Sequence, residues 1–164
     1  MERTALIYYS LDGNTHLIAQ KMSKQLGCPV IRLKLQKEFS TTNKFLKFFW
    51  AGQSSVFCTK PPLANKAIDL KAYDTLVIAS PVWAGSVSSP VRSFLSSYAI
   101  EGKDVYLVAN SGGGQHEKCL STMRKLLPKS TVRKEIGFAL VTKETYPTHK
   151  QRLEAFCKEI LDRK

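Results

Sequence analysis

The chain has 164 residues and an apolar fraction of 43%, which is enough for one globular domain with a substantial core. No apolar run approaches the roughly 20 residues that a membrane-spanning helix needs. The first residues lack the basic and apolar regions of a signal peptide, so we expect a cytoplasmic protein. The net charge of +12 lies mainly in residues 13–68 and 118–164. It favours anionic partners, although a solvated basic surface with no dedicated partner is the simpler interpretation.

Apolar runs typical of strands alternate with helical stripes along the chain. In order, we predict a strand at 4–9, a helix at 17–26, a strand at 29–35, a helix at 42–57, a strand at 75–79, a helix at 91–98, a strand at 105–109, a helix at 119–127, a strand at 136–141 and a helix through 153–160. We place the cap of the last helix at Thr148, after Pro147. This alternation indicates a single α/β domain over residues 1–164, with a parallel sheet and helices on both faces.

The segment between residues 36 and 70 is longer than one crossover needs. Its predicted helix carries Phe48, Phe49 and Trp50, and Pro61 and Pro62 follow it. We interpret the three aromatic side chains as core residues beneath a long crossover. The alternative is a lid over a ligand site.

Small polar residues and a glycine follow the first predicted strand. The turn consists of Ser10, Leu11, Asp12, Gly13, Asn14 and Thr15. A strand, a tight polar turn and a helix in this order point N–H groups and hydroxyls at one place, where the helix N-terminus adds partial positive charge. The turn therefore predicts a site for the phosphate group of a small molecule. The alternative is an ordinary turn capped by Asn14 or Asp12.

Two further strand exits carry unusual residues. Pro81, Val82, Trp83, Ala84 and Gly85 follow the third predicted strand, and Asn110, Ser111, Gly112, Gly113 and Gly114 follow the fourth. Trp83 offers a flat apolar face, Gly85 lets a ligand approach the main chain, and the glycine run exposes N–H groups. Because the carboxyl ends of parallel strands meet at one sheet edge, the three loops predict a ligand with a phosphate and a planar heterocycle.

The three segments, in this order at successive strand exits, resemble the bacterial flavodoxin family. The resemblance covers essentially the whole chain and is carried by Tyr9-Ser10-x-x-Gly13-Asn14-Thr15, by Ser80-Pro81-Val82-Trp83-Ala84-Gly85 leading into Ser89-Pro90-Val91-Arg92-Ser93-Phe94-Leu95, and by Ser111-Gly112-Gly113-Gly114. It is strongest for the branch with an extra helical segment before the third strand. It implies a three-layer fold with a five-stranded parallel sheet of order 2-1-3-4-5 and FMN at the switch point.

The resemblance also implies a role for each loop. The turn from Ser10 to Thr15 would bind the FMN phosphate through uncharged donors. The residues from Pro81 to Gly85 would line the isoalloxazine ring, with Trp83 as the ring contact, and those from Asn110 to Gly114 would border its pyrimidine end or its edge. The implied function is electron transfer through non-covalently bound FMN. The chain would act either as a carrier for a redox partner protein or as a small NAD(P)H reductase with a quinone-type small-molecule acceptor.

Two features depart from the family pattern. Asp12 brings a carboxylate near the proposed phosphate, so its side chain would have to point outward or act only through its N–H group. The chain is strongly basic, whereas flavodoxins that carry electrons are usually acidic. The charge therefore favours an acidic redox partner.

Other classes of function fit the sequence less well. A phosphoryl-accepting receiver domain needs carboxylates at the first and third strand exits, where this chain has Tyr9, Ser10 and Ser80. Nucleic-acid binding is suggested by charge alone, without a recognition motif. No two of the four cysteines form a C-x-x-C pair, and only three histidines are present, so we expect no metal site. We also find no cluster of catalytic acids and bases.

Overall fold

A computed structural model describes residues 3–39 and 43–163, which form a parallel sheet between two layers of helices. In chain order the elements are β1 (Thr4–Tyr8), α1 (Asn14–Leu26), β2 (Val30–Arg32), α2 (Lys44–Val56), a single 3₁₀ turn (Leu70–Ala72), β3 (Thr75–Trp83), β4 (Ser86–Val87), α3 (Ser89–Ser97), β5 (Asp104–Ser111), α4 (Glu117–Lys125), β6 (Thr131–Ala139) and α5 (Tyr146–Leu161).

The sheet has the strand order β2-β1-β3-β5-β6, and all of these pairs are parallel. The two-residue strand β4 is an addition that pairs antiparallel with the end of β3. Without β4, the order is the 2-1-3-4-5 arrangement that the resemblance implies, so the predicted fold is confirmed. The direction of the connections reverses between β1 and β3, and parallel sheets of this kind bind ligands beyond the strand ends at such a point.

Alternation along each central strand divides the core between the two sheet faces. In β1, Leu6 and Tyr8 face the layer of α1 and α5, whereas Ala5 and Ile7 face the layer of α2, α3 and α4. All four side chains are buried. The continuous apolar runs of the sequence are thus explained by a sheet covered on both faces.

Several predicted boundaries differ from the structure. Strand β3 continues to Trp83 and β5 to Ser111, so part of each predicted loop is strand. Strand β6 already begins at Thr131, in a mostly exposed polar stretch that carries no apolar run. Helix α5 begins at Tyr146, because Pro147 is accommodated in the first helical turn. Thr148 is therefore not the cap, and the predicted start of α2 at residue 42 lies outside the described residues.

The prediction of a core role for the aromatic residues of α2 is wrong. Phe48, Phe49 and Trp50 are 47%, 53% and 52% exposed. The side of α2 that meets the sheet carries small residues instead, since Ala51 and Ser55 are buried. Ser55 Oγ donates a hydrogen bond to the Val87 carbonyl oxygen at 3.1 Å. Two small side chains of α2 are therefore buried, whereas Phe48, Phe49 and Trp50 lie at the surface.

Candidate functional site

The turn between β1 and α1 is fixed by its own side chains. Gly13 has a φ of 96°, in the left-handed region that favours glycine, and its N–H donates to Ser10 Oγ at 3.1 Å. The Asp12 carboxylate accepts hydrogen bonds from the Asn14 N–H at 3.2 Å and from Asn14 Nδ2 at 2.9 Å. This pairing with Asn14 gives Asp12, which lies on an exposed turn, a local role in shaping the loop.

Thr15 lies in the first turn of α1 and is almost fully buried, with 1% of its surface exposed. Its hydroxyl has no hydrogen-bond partner within residues 3–39 and 43–163. A buried polar group without a partner costs about 1–3 kcal/mol, so an occupant that accepts this hydrogen bond would be favoured. Together with the N-terminal N–H groups of α1, the hydroxyl makes this end of the site suitable for an anion.

The second wall of the site is the end of β3. Trp83 is only 5% exposed, and its ring packs edge to face against Tyr9 and Phe39, with centroid distances of 5.6 and 5.5 Å. Ala84 and Gly85 have φ values of 47° and 75° and form the two-residue turn into β4. Positive φ at both positions is typical of tight hairpins, so the conformation of the turn accounts for Gly85. The hairpin holds Trp83 at the wall.

The third wall is the end of β5 and the glycine run after it. The Asn110 side-chain carbonyl accepts a hydrogen bond from the Val141 N–H at 3.4 Å, which ties β5 to the segment after β6. Ser111 Oγ accepts from the Gly113 N–H at 3.2 Å. Gly114 has a φ of 82°, and a Cβ there would lie 3.6 Å from the Ala139 side chain. The run therefore turns back over β6.

These three walls enclose a cavity of about 290 Å³, which we call the edge cavity. Ten of the sixteen predicted site residues line it: Leu11, Asp12, Asn14, Thr15, Pro81, Val82, Trp83, Asn110, Ser111 and Gly112. The other six are not part of its lining and lie in the adjoining turns: Ser10, Gly13, Ala84, Gly85, Gly113 and Gly114. Several of these six shape the loops, as the Ser10–Gly13 hydrogen bond and the Ala84–Gly85 turn illustrate.

Two residues that are not among the sixteen predicted site residues also line the edge cavity. Phe48 reaches it from α2, and Leu140 reaches it from the segment after β6. Leu140 is 54% exposed and has a φ of 51°, an unusual conformation for a branched side chain. The aromatic run of α2 was a signal for Phe48, whose place beside the edge cavity fits the alternative of a lid over a ligand site better than the core role. Leu140 had no comparable signal in the sequence.

A family model described as Flavodoxin matches residues 3–146 of this chain. The chain belongs to the flavodoxin family. The match includes all three walls of the edge cavity and ends at the first residue of α5. The resemblance seen in the three loop motifs is thus confirmed.

Solved structures with the same fold are similar to this flavodoxin over almost its whole length. A flavoprotein from Lactobacillus acidophilus, in complex with FMN, is 22% identical over 90% of this chain and 98% of its own, with a TM-score of 0.67. A candidate flavoprotein from Bacteroides eggerthii is 18% identical over 99% and 97%, with a TM-score of 0.73. Oxidised Flavodoxin 2 from Bacillus cereus is 15% identical over 99% of both chains, with a TM-score of 0.65.

Tyr8 and Tyr9 lie next to the turn that borders the edge cavity, and their surroundings favour the neutral form of each phenol. Burial raises the pKa of Tyr9. The Glu38 carboxylate accepts a hydrogen bond from the Tyr9 hydroxyl at 3.0 Å and raises that pKa further. Burial also raises the pKa of Tyr8, whose hydroxyl is hydrogen-bonded to His16 Nδ1. These groups therefore support the first strand and the turn after it as hydrogen-bonding side chains at neutral pH.

Within the part of the chain that the structure describes, no group of three or more His, Cys, Asp or Glu side chains is placed to hold a metal ion. None of the helices found there has the length and apolar character that crossing a membrane requires.

Proposed function

We propose that this chain is one domain that binds FMN non-covalently in the edge cavity and transfers electrons through it. The phosphate would lie at the turn from Ser10 to Thr15. The isoalloxazine ring would lie along Pro81, Val82 and Trp83, and Asn110 to Gly112 would border it. The observation that carries the proposal is the buried, unpartnered hydroxyl of Thr15 at the first turn of α1.

The donor set of this site supports an FMN phosphate. No lysine or arginine belongs to the turn, so the donors are backbone N–H groups, the Thr15 hydroxyl and the N-terminus of α1. A dianionic phosphate accepts several such hydrogen bonds at once, and bonds to a charged group are stronger than neutral ones. FMN in the similar Lactobacillus acidophilus flavoprotein and the match to the flavodoxin family model give independent support.

Electron transfer is proposed because bound FMN would supply the redox chemistry. Flavin chemistry needs a protein for binding, orientation and electrostatics, and no separate acid or base is required for an electron-transfer role. The electrons would pass to a redox partner protein, with a small FMN-dependent NAD(P)H reductase as the alternative. The basic surface favours an acidic partner. We propose that this reaction takes place in the cytoplasm. Cys58, Cys119 and Cys157 are thiols in the structure, and cytoplasmic conditions would keep them reduced.

The first experiment is a titration of the cofactor-free protein with FMN, followed by absorbance and by quenching of flavin fluorescence. Thr15→Val keeps the side-chain shape and removes the hydroxyl. A lost hydrogen bond to a charged group corresponds to about 1.5–3 kcal/mol, so we expect FMN affinity to fall roughly tenfold or more. The stability of the FMN-free variant should not fall, because the hydroxyl has no partner there.

Thr4→Val is the matched control. The Thr4 hydroxyl is also buried and without a partner, but it lies at the opposite end of β1 from the turn. This variant should bind FMN as the parent does. Saturating FMN without any spectral change in the parent protein would contradict the cofactor assignment. Equal FMN affinity in Thr15→Val and the parent would contradict the placement of the phosphate.

A further inference from the structure

Two further cavities lie on the same side of the molecule as the turn from Ser10 to Thr15 and α2. One cavity of about 610 Å³ lies against α2, and its apolar lining includes Phe39, Trp50 and Phe57. Another of about 400 Å³ lies next to the Ser10–Leu11 segment, and its lining includes Arg32, Lys34 and Lys47. Both cavities are lined by Glu38 and Phe39, so they meet there. We call the pair the trough, with an aromatic end (Phe39, Trp50, Phe57) and a cationic end (Arg32, Lys34, Lys47).

The cationic end of the trough is not neutralised. None of its three cations forms an ion pair with a carboxylate of residues 3–39 or 43–163. Arg32 Nη2 donates to the main-chain carbonyl of Ser10 at 3.3 Å, and Lys47 Nζ donates to that of Leu11 at 3.4 Å, so both bonds go to neutral groups. A cavity lined by positive charges favours the binding of an anion from solution.

The one carboxylate in the trough is already engaged. Glu38 accepts hydrogen bonds from the Tyr9 hydroxyl and from the Leu35 N–H, both at 3.0 Å. These contacts hold its two oxygens against the protein. Three cations and one carboxylate therefore leave the lining of this cavity with a net positive charge.

The aromatic end offers exposed ring surface. Trp50 is 52% exposed and Phe57 is 69% exposed, although both are large apolar side chains. Phe39 closes the trough towards the edge cavity, because its ring packs edge to face against Trp83, which lines that cavity. Planar rings stack well on such surfaces, and an apolar ring buried there would cover side chains that now face water.

We propose that the trough binds a small molecule that joins a planar aromatic ring to an anionic group. The ring lies on Trp50 and Phe57, and the anion lies near Lys34 and Arg32. Two sources share this chemistry, namely a phosphorylated nucleotide and an aromatic sulfonate or carboxylate. The proposal goes beyond FMN binding. Leu11 lines both the trough and the edge cavity, but Trp50, Phe57, Lys34 and Arg32 do not line the edge cavity, so either proposal can fail without the other.

The test is isothermal titration of the purified protein, with and without added FMN, using three probes. Adenosine 2′,5′-bisphosphate represents the nucleotides, anthraquinone-2-sulfonate represents the aromatic sulfonates, and inorganic phosphate represents an anion without a ring. We expect at least one aromatic probe to bind at least tenfold more tightly than phosphate. The probe that binds more tightly identifies the source.

Four variants locate the site. Lys34→Glu should weaken binding of the aromatic probe at least tenfold, whereas Lys66→Glu makes the same charge change at an exposed lysine outside the trough and should change it less than twofold. Trp50→Ala should weaken binding, and Phe49→Ala, at the neighbouring exposed ring of α2, should not. FMN affinity, measured in parallel, should be unchanged by Lys34→Glu, and circular dichroism confirms that each variant is folded.

Three results would overturn the proposal. The first is the absence of measurable binding by both aromatic probes at millimolar concentration. The second is binding of inorganic phosphate as tight as that of the aromatic probes, which would mean that the aromatic end is not used. The third is an equal effect of Lys34→Glu and Lys66→Glu, which would mean that the probes respond only to net charge.

Discussion

Among the helices of residues 3–39 and 43–163, α2 differs from the other four in how it meets the sheet. Helices α1, α3, α4 and α5 bury large apolar side chains, such as Met22, Phe94, Met123 and Phe156. Helix α2 buries Ala51 and Ser55 and leaves Phe48, Phe49 and Trp50 exposed, and both the edge cavity and the trough adjoin it. Helix α1 combines both roles, because it buries Met22 and also contributes Asn14 and Thr15 to the edge cavity. Helix α2 borders the edge cavity and the trough, and the side chains that it is seen to bury are small.

The largest expected effect is on folding stability. Phe156 in α5 is 2% exposed and packs edge to face on Tyr106 at a centroid distance of 6.0 Å. Phe156→Ala should lower the free energy of unfolding by about 3–5 kcal/mol, because it leaves a cavity in the core. Phe49→Ala in α2 removes the same ring from a half-exposed position and should change the free energy of unfolding by less than about 0.5 kcal/mol.

Urea denaturation of both variants, followed by circular dichroism, tests this difference. Phe156→Leu provides a milder control, since it retains most of the buried apolar surface. A loss of several kcal/mol in Phe49→Ala would mean that α2 contributes to the core after all. The contrast between α2 and the four packed helices would then be wrong.

The second prediction concerns pH and a thiol in the packed layer. Cys119 in α4 is fully buried, and burial raises its pKa to about 12, although a hydrogen bond with Ser80 and the charge of Arg92 oppose the rise. In the unfolded chain a thiol has a pKa of about 8.5. Between these values the unfolded chain has lost the proton and the folded chain has kept it. Unfolding therefore releases a proton, and stability falls as the pH rises.

The expected slope from this group is about 1.4 kcal/mol per pH unit between about pH 9 and 11. Cys119→Ala should be less stable at pH 7, because it removes buried volume, but its stability should decline less steeply above pH 9. Guanidinium titrations at pH 7, 9 and 10 measure both quantities. Parallel declines in the variant and the parent would show that the Cys119 thiol also ionises readily in the folded protein.

The alternation of strands and helices was predictable because it depends on local patterns, and the strand order was implied by the family resemblance. The surroundings of α2 were not predictable in either way. Each apolar run of the central strands is visible in the sequence, and the polar residues at their exits follow directly. Most of the residues that line the edge cavity were predicted for this reason. Phe48 was left between a core role, which we favoured, and a lid over a ligand site, because a ring in a helix has the same sequence signal whether it faces a core or a cavity. Arg32 and Lys47 were not assigned to any site, since only the fold places them beside the Ser10–Leu11 carbonyls.

The smallest expected effect compares how α1 and α2 end. Both helices end with a residue in the left-handed conformation: Gly27 after α1, with a φ of 61°, and Cys58 after α2, with a φ of 51°. At the end of α2, the N–H groups of Cys58 and Thr59 donate to the Ser55 and Ser54 carbonyls, which is the hydrogen-bond pattern that usually has glycine at this position. The end of α1 therefore has the favoured residue, and the end of α2 does not.

Introducing glycine at the end of α2 and removing it at the end of α1 should change the free energy of unfolding in opposite directions. Cys58→Gly should raise the free energy of unfolding by about 0.5–1 kcal/mol, because glycine adopts the left-handed conformation without the steric cost of a side chain. Gly27→Ala should lower it by about 1 kcal/mol for the same reason. Cys58→Ala is the control, since it removes the thiol and keeps the Cβ, and it should be nearly neutral. If Cys58→Gly and Cys58→Ala had the same effect, the thiol rather than the backbone would be responsible, and the less favourable end of α2 would not be a matter of conformation.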